Sequence, residues 1–209
     1  MRIARGRAIF SGTVTSELYY AIQVLTGEEQ LFMQRVEKQI HRISGAPGIP
    51  ACRLRWPRRT LTIRRKGKRV TTIQPIFPGY LFLETPEVTP ELYHLLRRSS
   101  GFIRFLPENH ALIPLEAKEL RLVQHLLSFG DVLKESTVTF DTNNRIVVKA
   151  GPLQGLEGRI VKVDKRKGRA KVQLDLYDTA FLIDLGFRAL EKAPDPPCEP
   201  AKSSVREPS

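Results

Sequence analysis

The chain has 209 residues, with 34 Lys and Arg against 22 Asp and Glu for a formal charge of +12, and a hydrophobic fraction of 41%. That content builds packed cores and excludes a chain disordered throughout; no run approaches the roughly 18 apolar residues of a membrane span, and the start, Met1–Ser16, lacks the apolar stretch of a secretory signal. The only cysteines, Cys52 and Cys198, have no second Cys and no His beside them, so a disulfide scaffold and a Cys-type zinc site are excluded and the composition describes a soluble, cytoplasmic, basic protein of two domains.

Residues 1–17 read as a flexible N-terminus. The run Leu18–Leu25 is apolar and of strand length. Thr26-Gly27-Glu28-Glu29 follows, where Thr26 caps and Glu29 answers it, and Leu31, Phe32, Val36, Ile40 and Ile43 recur at helical spacing over 28–43. Ser44–Gly48 stops that helix. Two Arg-rich strands come next, with Arg65-Lys66-Gly67-Lys68 as a hairpin tip. Pro75 and Pro78-Gly79 punctuate a further strand, Tyr80–Leu83. Leu92, Leu95 and Leu96 mark a short helix ending near Gly101, and Phe102–Leu106 is another strand. Pro114 suits the first turn of a helix whose apolar face is Leu115, Leu120, Val123, Leu126 and Leu127. The order β-α-β-β-β-α-β-α predicts an open antiparallel sheet with helices packed on it, over 18–130.

Polar residues dominate 131–144, which reads as an interdomain linker. Beyond it the helical period is lost. Ile146–Val148, Gly158–Val163, Ala170–Leu174 and Phe181–Leu185 are short strands turned by Gly151, Gly155, Gly158 and Gly168, four of the five expected to form a small barrel over 145–193. The tail, 194–209, is Pro-rich and reads as disordered.

The charge is concentrated. Nine basic residues and no acid lie between Arg53 and Arg69: Arg53, Arg55, Arg58, Arg59, Arg64, Arg65, Lys66, Lys68 and Arg69. Seven more, among them Lys165, Arg166, Lys167 and Arg169, lie between Arg159 and Lys171 with Asp164 as the single acid. These segments carry more than the whole excess, so the remainder of the chain is slightly acidic. Two acid-poor clusters in such a background point to a polyanion partner, through backbone phosphates rather than base stacking, since Trp56 is the only aromatic within them.

Catalytic chemistry finds no support. His41, His94, His110 and His125 are scattered, no His-x-Glu, Gly-x-Ser-x-Gly or phosphate-cradling Gly-Lys-Ser/Thr pattern occurs, and carboxylates mostly neighbour basic residues. The reading is a non-enzyme needing no metal or cofactor, with no membrane partner.

Several motifs resemble one family. Tyr19-Tyr20-Ala21-Ile22-Gln23 followed by Thr26–Glu29 is similar to the opening of the N-terminal domain of NusG transcription elongation factors. Ile76-Phe77-Pro78-Gly79-Tyr80-Leu81-Phe82 resembles that domain's most characteristic motif, and Arg97–Ile103 its segment before the last strand. Val148–Val161 resembles a KOW motif. The resemblance covers about 18–192 and implies an α+β chain: a NusG-type N-terminal domain, an antiparallel sheet flanked by helices, followed by a small SH3-like KOW β-barrel.

It further implies binding to the clamp helices of RNA polymerase through an exposed apolar depression at Tyr19, Phe77, Pro78, Gly79 and Tyr80. Three aromatics at a groove are a hot-spot composition, although alternation alone also allows them as sheet core. For the KOW domain it implies docking to partners such as termination factor Rho or the ribosomal protein also known as NusE, with Gly151, Gly155 and Gly158 as structural glycines whose backbone conformations side chains would obstruct. Two features depart from the general pattern: Tyr19 stands where Trp is usual, and the loop before Pro78 is unusually Arg-rich. With Lys165–Ala170, these look most like specialised paralogues of the LoaP type, operon-specific antiterminators some of which bind a nascent RNA hairpin. A housekeeping NusG-type factor and a ribosome-associated KOW RNA-binding protein are the alternatives.

Overall fold

The structure, a computed structural model, describes residues 18–43, 51–110, 112–177 and 179–190; the expected flexible start and Pro-rich tail lie outside them. Strand β1 (Leu18–Val24) sits inside a four-stranded antiparallel sheet with β2 (Arg53–Arg55), β5 (Tyr80–Thr85) and β6 (Phe102–Phe105), in the order β2-β5-β1-β6. Tyr19 registers with Glu84 and Ile22 with Leu81. Because side chains alternate across a strand, Tyr20, Ile22 and Val24 join Leu81 and Leu83 on one face. There they pack on Phe32 and Val36 of α1 (Glu29–Ile43) and on Leu92 and Leu96 of α2 (Pro90–Arg98). Tyr19, Ala21 and Phe82 point the other way, toward Leu122, Val123, Leu126 and Leu127 of α3 (Ala117–Ser128).

Helix starts differ slightly from expectation. Helix α1 begins at Glu29, and the Glu29 carboxylate, itself buried, accepts from Gly27 N at 2.9 Å and Gly79 N at 2.7 Å. It thus ties the 77–80 loop to the helix instead of closing a reciprocal box with Thr26. Helix α3 begins three residues past Pro114, where Glu116 and Glu119 form the capping box.

The Arg-rich hairpin, β3 (Arg58–Arg65) and β4 (Lys68–Pro75), leaves the main sheet and forms a second one with β7 (Val132–Leu133), in the order β4-β3-β7. Trp56-Pro57 separates β2 from β3, and Pro57, having no N–H to donate, offers only its carbonyl, to Ile76 N at 3.0 Å. The tip falls where expected: Lys66 (φ 49°) and Gly67 (φ 78°) both lie in the left-handed region a two-residue primed turn requires.

The expected linker over 131–144 is the main correction. It holds β7, which pairs in parallel with β3, and β8 (Ser136–Phe140), which belongs to the C-terminal sheet. Its polar residues mask a strand alternation in which Ser136 and Val138 are buried, and the Ser136 hydroxyl accepts from Leu153 N at 3.0 Å. The C-terminal unit is barrel-like, with β8, β9 (Ile146–Ala150), β10 (Ile160–Asp164), β11 (Arg169–Leu176) and β12 (Thr179–Ala189) in the order β10-β11-β12-β8-β9. Four of its strands lie within 145–193, and the remaining one, β8, comes from the segment expected to be the linker. Ala170, Val172, Leu174, Ile183, Leu185 and Phe187 fill it, and this core runs on without interruption to Tyr19 and Phe77 of the first sheet.

Candidate nucleic-acid interface

The structure brings Tyr19, Phe77 and Tyr80 to one face of the first sheet, but that face is not open. Phe77 is 1% exposed and Tyr19 8%. Phe181, from β12 of the barrel, meets the Phe77 ring edge-on at 5.2 Å and the Tyr80 ring at 5.5 Å, while Phe77 also meets Phe82 at 5.8 Å. Each such pair adds about 0.5–1.5 kcal/mol beyond its buried area. The expected exposed depression is therefore a covered one, because aromatic surface of that size finds an apolar partner within the chain. Tyr19 also donates its hydroxyl to Glu84. Pro78 is exposed at the loop tip. Gly79 has φ 79°, and a Cβ there would stand 2.7 Å from Thr26 Oγ1, so its place is a steric requirement of the loop.

Polar contacts fasten the barrel along the same seam. Tyr177 N donates to Glu119 Oε1 of α3 at 2.6 Å, His125 Nε2 donates to the Pro152 carbonyl at 3.1 Å, and Arg169 Nη2 donates to the Thr62 carbonyl at 2.6 Å. His125 is thus a satisfied helix histidine. Burial, with Glu119 and then Glu116 adding to it against an opposing backbone contact at Ala21, pushes the Tyr177 phenol up to about 12.

The basic residues divide by environment. Arg55 pairs with Glu84 (3.9 Å) and Asp131 (3.6 Å), Arg58 stacks over Trp56 at 4.8 Å, and Arg169 lies 4.0 Å from Asp184. Burial holds Arg59 below the usual arginine range, with Asp184 opposing the shift and Arg169 adding to it. Of these four, Arg59, facing Asp184 and Arg169, and Arg169, which reaches the Thr62 carbonyl, lie at the seam between the hairpin and the barrel. Arg53, Arg64, Arg65, Lys66, Lys68 and Arg69 are exposed, as are Lys165, Arg166 and Lys167. The free end of the hairpin and the Lys165–Gly168 turn face each other across one cleft, joined there by Arg188. Sequence reasoning missed Arg188, a lone charge, and Phe181, whose alternation with Ile183, Leu185 and Phe187 does place it on the inward face. Among the described residues no three His, Cys, Asp or Glu side chains gather as a metal site would need.

The three KOW glycines are unequal. Gly151 has φ 100°, and a Cβ there would stand 2.8 Å from the Ser136 Cα. Gly155 has φ 80° but only a His125 ring carbon at 3.9 Å. Gly158 has neither a left-handed backbone nor a neighbour within 4 Å, so the expected obstruction does not hold there.

An antiparallel sheet with α1 and α2 on one face, and α3 with a barrel-like five-stranded unit on the other, gives the chain a two-part α+β architecture. A family model described as transcription termination factor nusG matches residues 17–124, and the chain belongs to the NusG family. It is 24% identical over 184 residues to the transcription termination/antitermination protein NusG of Thermus thermophilus, covering 84% of this chain and 98% of that one. To the protein of the same description from Staphylococcus aureus strain Mu50 it is 26% identical over 187 residues, covering 87% and 99%. A solved structure of Thermotoga maritima NusG, described as one of domain interaction, shares the fold with a TM-score of 0.52 at 18% identity, over 81% of this chain and 93% of that one.

Proposed function

We propose that this NusG-type termination/antitermination factor is an elongation regulator that binds RNA polymerase and promotes antitermination at particular operons, without catalysis, in the cytoplasm, by contacting nascent RNA. The observation that carries the reading is the meeting of the two basic segments, far apart in sequence, around one cleft. Tyr19, Phe77 and Tyr80, with the Pro78-Gly79 turn, are the surface for the polymerase clamp helices, and polymerase reaches them only when Phe181 and the barrel move aside. The freed barrel then takes a second partner, Rho or the ribosomal protein NusE.

The test is competition. Leader RNA from the protein's own operon is set against an equal mass of unrelated duplex DNA, with polymerase capture measured in parallel. Preferential binding of the leader RNA, together with polymerase capture that Tyr80→Ala weakens, is the expected result. Equal competition removes the operon-specific part and leaves a general elongation factor, the reading that the general names of the relatives favour. Failure to capture polymerase overturns the whole assignment.

A further inference from the structure

The Arg-rich hairpin shares no ladder with the first sheet. Its partner is β7, at Arg58–Val132 and Arg59–Leu133, with Arg58 N donating to the Asp131 carbonyl at 2.9 Å. Two residues, Lys134 and Glu135, lead from β7 into β8, and β8 pairs with β12 at Ser136–Phe187 and Thr137–Arg188. Three Cα steps separate Leu133 from Ser136, a reach of at most about 11 Å. The barrel is therefore tied to the hairpin here, however it sits elsewhere. Side chains close the same joint: the Thr62 hydroxyl donates to Glu135 at 3.2 Å, and the Thr62 carbonyl accepts from Arg169 at 2.6 Å. A Cβ at Gly186 would stand 2.9 Å from Glu135 Cγ and 3.4 Å from the Thr60 carbonyl oxygen, so β12 meets β3 at a glycine that permits the approach.

A cleft of about 930 Å³ lies against this joint. Arg64 and Arg69 face it from the hairpin, and Lys165, Arg166, Lys167 and Arg188 from the barrel. The Gly168 carbonyl accepts Phe187 N at 2.8 Å, which fixes the basic turn to β12 beside the tie. The one acid among the described lining residues is Glu135, already engaged by Thr62. Arg64, Arg69, Arg166 and Arg188 have no ion pair among the described residues. Four planar guanidinium forks are thus unused, the geometry that suits phosphate oxygens. A cleft at the upper end of the size range for small-ligand sites takes a few nucleotides of one strand rather than a duplex. The contacts of Phe181 with Phe77 and Tyr80 lie seven residues along β12 from Arg188, roughly 23 Å of strand, and take no part in the joint.

We propose that the hairpin and the barrel form one two-walled clamp on the phosphodiester backbone of a single nucleic-acid strand, held together by the Lys134-Glu135 connection, and that the clamp keeps its strand whether or not the barrel covers the aromatic face. The proposal rests on the reading above, in which RNA and polymerase are the partners. A barrel that gives way to polymerase swings about the joint and stays beside the hairpin. The short tie keeps each wall at high effective concentration near the other, so the strand never loses its second wall. Covered and uncovered forms then hold the strand equally, and a ligand of equal affinity for two states shifts neither. Strand and polymerase occupy the factor together.

The experiment uses the full chain, fluorescent oligouridine and oligothymidine strands, and a DNA duplex of equal phosphate number. Binding is read by anisotropy against salt, and the cover of the aromatic face by amide hydrogen exchange over residues 77–83. With about six phosphates engaged, the slope of log K against log salt is near −4 for a single strand. Oligouridine and oligothymidine bind alike, as a backbone site requires, and leave exchange over 77–83 unmoved. Phe181→Asn, which alters no charge, speeds that exchange and leaves strand affinity and slope unchanged. Saturating polymerase also leaves the strand bound to the factor, measured against the arginine variants to subtract polymerase's own hold on nucleic acid. Arg64→Ala with Arg69→Ala, and separately Arg166→Ala with Arg188→Ala, are surface changes that each cost about tenfold and bring the slope to about −3. About ten Gly and Ser residues inserted between Lys134 and Glu135 in the Phe181→Asn protein cost a similar factor. Added to Arg64→Ala with Arg69→Ala the insertion costs nothing more, because the hairpin wall is lost either way.

A fall in strand affinity in Phe181→Asn, release of the strand by polymerase, or slower exchange over 77–83 on strand binding overturns the clamp while RNA contact stands. So does an insertion without effect in Phe181→Asn, or an arginine pair that leaves affinity intact. Tighter binding of the duplex than of either strand also overturns it. If no oligonucleotide binds at about 50 mM salt, the nucleic-acid reading itself fails and the clamp with it.

Discussion

The two faces of the central sheet are equally apolar and differently closed. Tyr20, Ile22, Val24, Leu81 and Leu83 lie under α1 and α2, helices that follow β1 and β5 within a few residues. Tyr19, Ala21, Phe77 and Phe82 lie under α3 and a barrel that begins more than fifty residues after β5, whose interior residues Val172, Leu174, Ile183 and Leu185 are continuous with that face. A helix lifted from the first face loses the packing that keeps it a helix. A barrel lifted from the second should keep its strand pairing, since β10-β11-β12-β8-β9 bond only to one another. Burial shows that both faces need a cover; whether a cover holds its shape when lifted decides which one can be removed.

The sharpest test of that contrast replaces one aromatic on each side. Phe32 is fully buried beneath the first face, and Phe32→Ala should cost about 3–5 kcal/mol in chemical denaturation and unfold the sheet. Phe181→Ala should cost about 1–3 kcal/mol from its two ring pairs, seen as faster exchange at 77–83 with secondary structure intact. If Phe181→Ala instead melts the first sheet cooperatively, the two covers are equivalent and the contrast is broken.

Next in size is Gly151→Val. With a left-handed backbone and Ser136 Cα 2.8 Å from the added Cβ, it should destabilise the barrel by about 3 kcal/mol through strain and overpacking, while Gly158→Val, with open space, should cost little. Barrel NMR dispersion that vanishes in the first variant and persists in the second, with β1–α2 signals unchanged in both, would show the barrel to be a separate cooperative unit. Polymerase binding follows. Tyr80→Ala should weaken it by about 2 kcal/mol, a hot-spot magnitude, whereas Phe181→Asn, which uncovers the same surface, should strengthen it. The opposite signs separate the surface from its cover, and weakening by both would place polymerase elsewhere.

The central strands were legible in the sequence because Leu18–Leu25 and Tyr80–Leu83 are near-continuous apolar runs, the pattern of strands covered on both faces, and the hairpin tip because Lys66-Gly67 is turn chemistry. The basic segments were legible as charge. Their meeting was not, since Arg64 and Lys165 lie a hundred residues apart and no period joins them. The strand β8 was hidden because Ser136-Thr137-Val138-Thr139 reads as polar by composition, although the Ser136 hydroxyl accepts from Leu153 N and its β-branched residues suit a pleat. Docking was hidden for a related reason. Tyr19, Phe77 and Tyr80 look alike whether they await a partner protein or face Phe181, because the chemistry of an interface and of a core is the same.

The smallest effect concerns the edge of the seam, where the Tyr177 phenol is pushed up to about 12 by burial and the carboxylates of α3. In the unfolded or undocked chain a tyrosine titrates near 10. The folded value is the higher one, so the neutral phenol is favoured by docking: its contribution is complete below about pH 10 and is lost as pH rises through 12. Docking should therefore weaken over that window, read as faster exchange at 77–83 or as a late tyrosinate absorbance step near 12 that Tyr177→Phe removes, distinct from Tyr20, which its own burial and Glu87 also raise. Tyr177→Phe removes the proton and should flatten this part of the alkaline profile while leaving docking at neutral pH nearly unchanged. The same variant leaves Phe32 and the helix-covered face untouched, so any alkaline loss common to both proteins belongs to that face and the difference between them belongs to the barrel. If Tyr177→Phe undocks the barrel at neutral pH, the phenol oxygen holds the seam by a bond rather than by its burial, and the cover is more firmly held than its aromatic contacts imply.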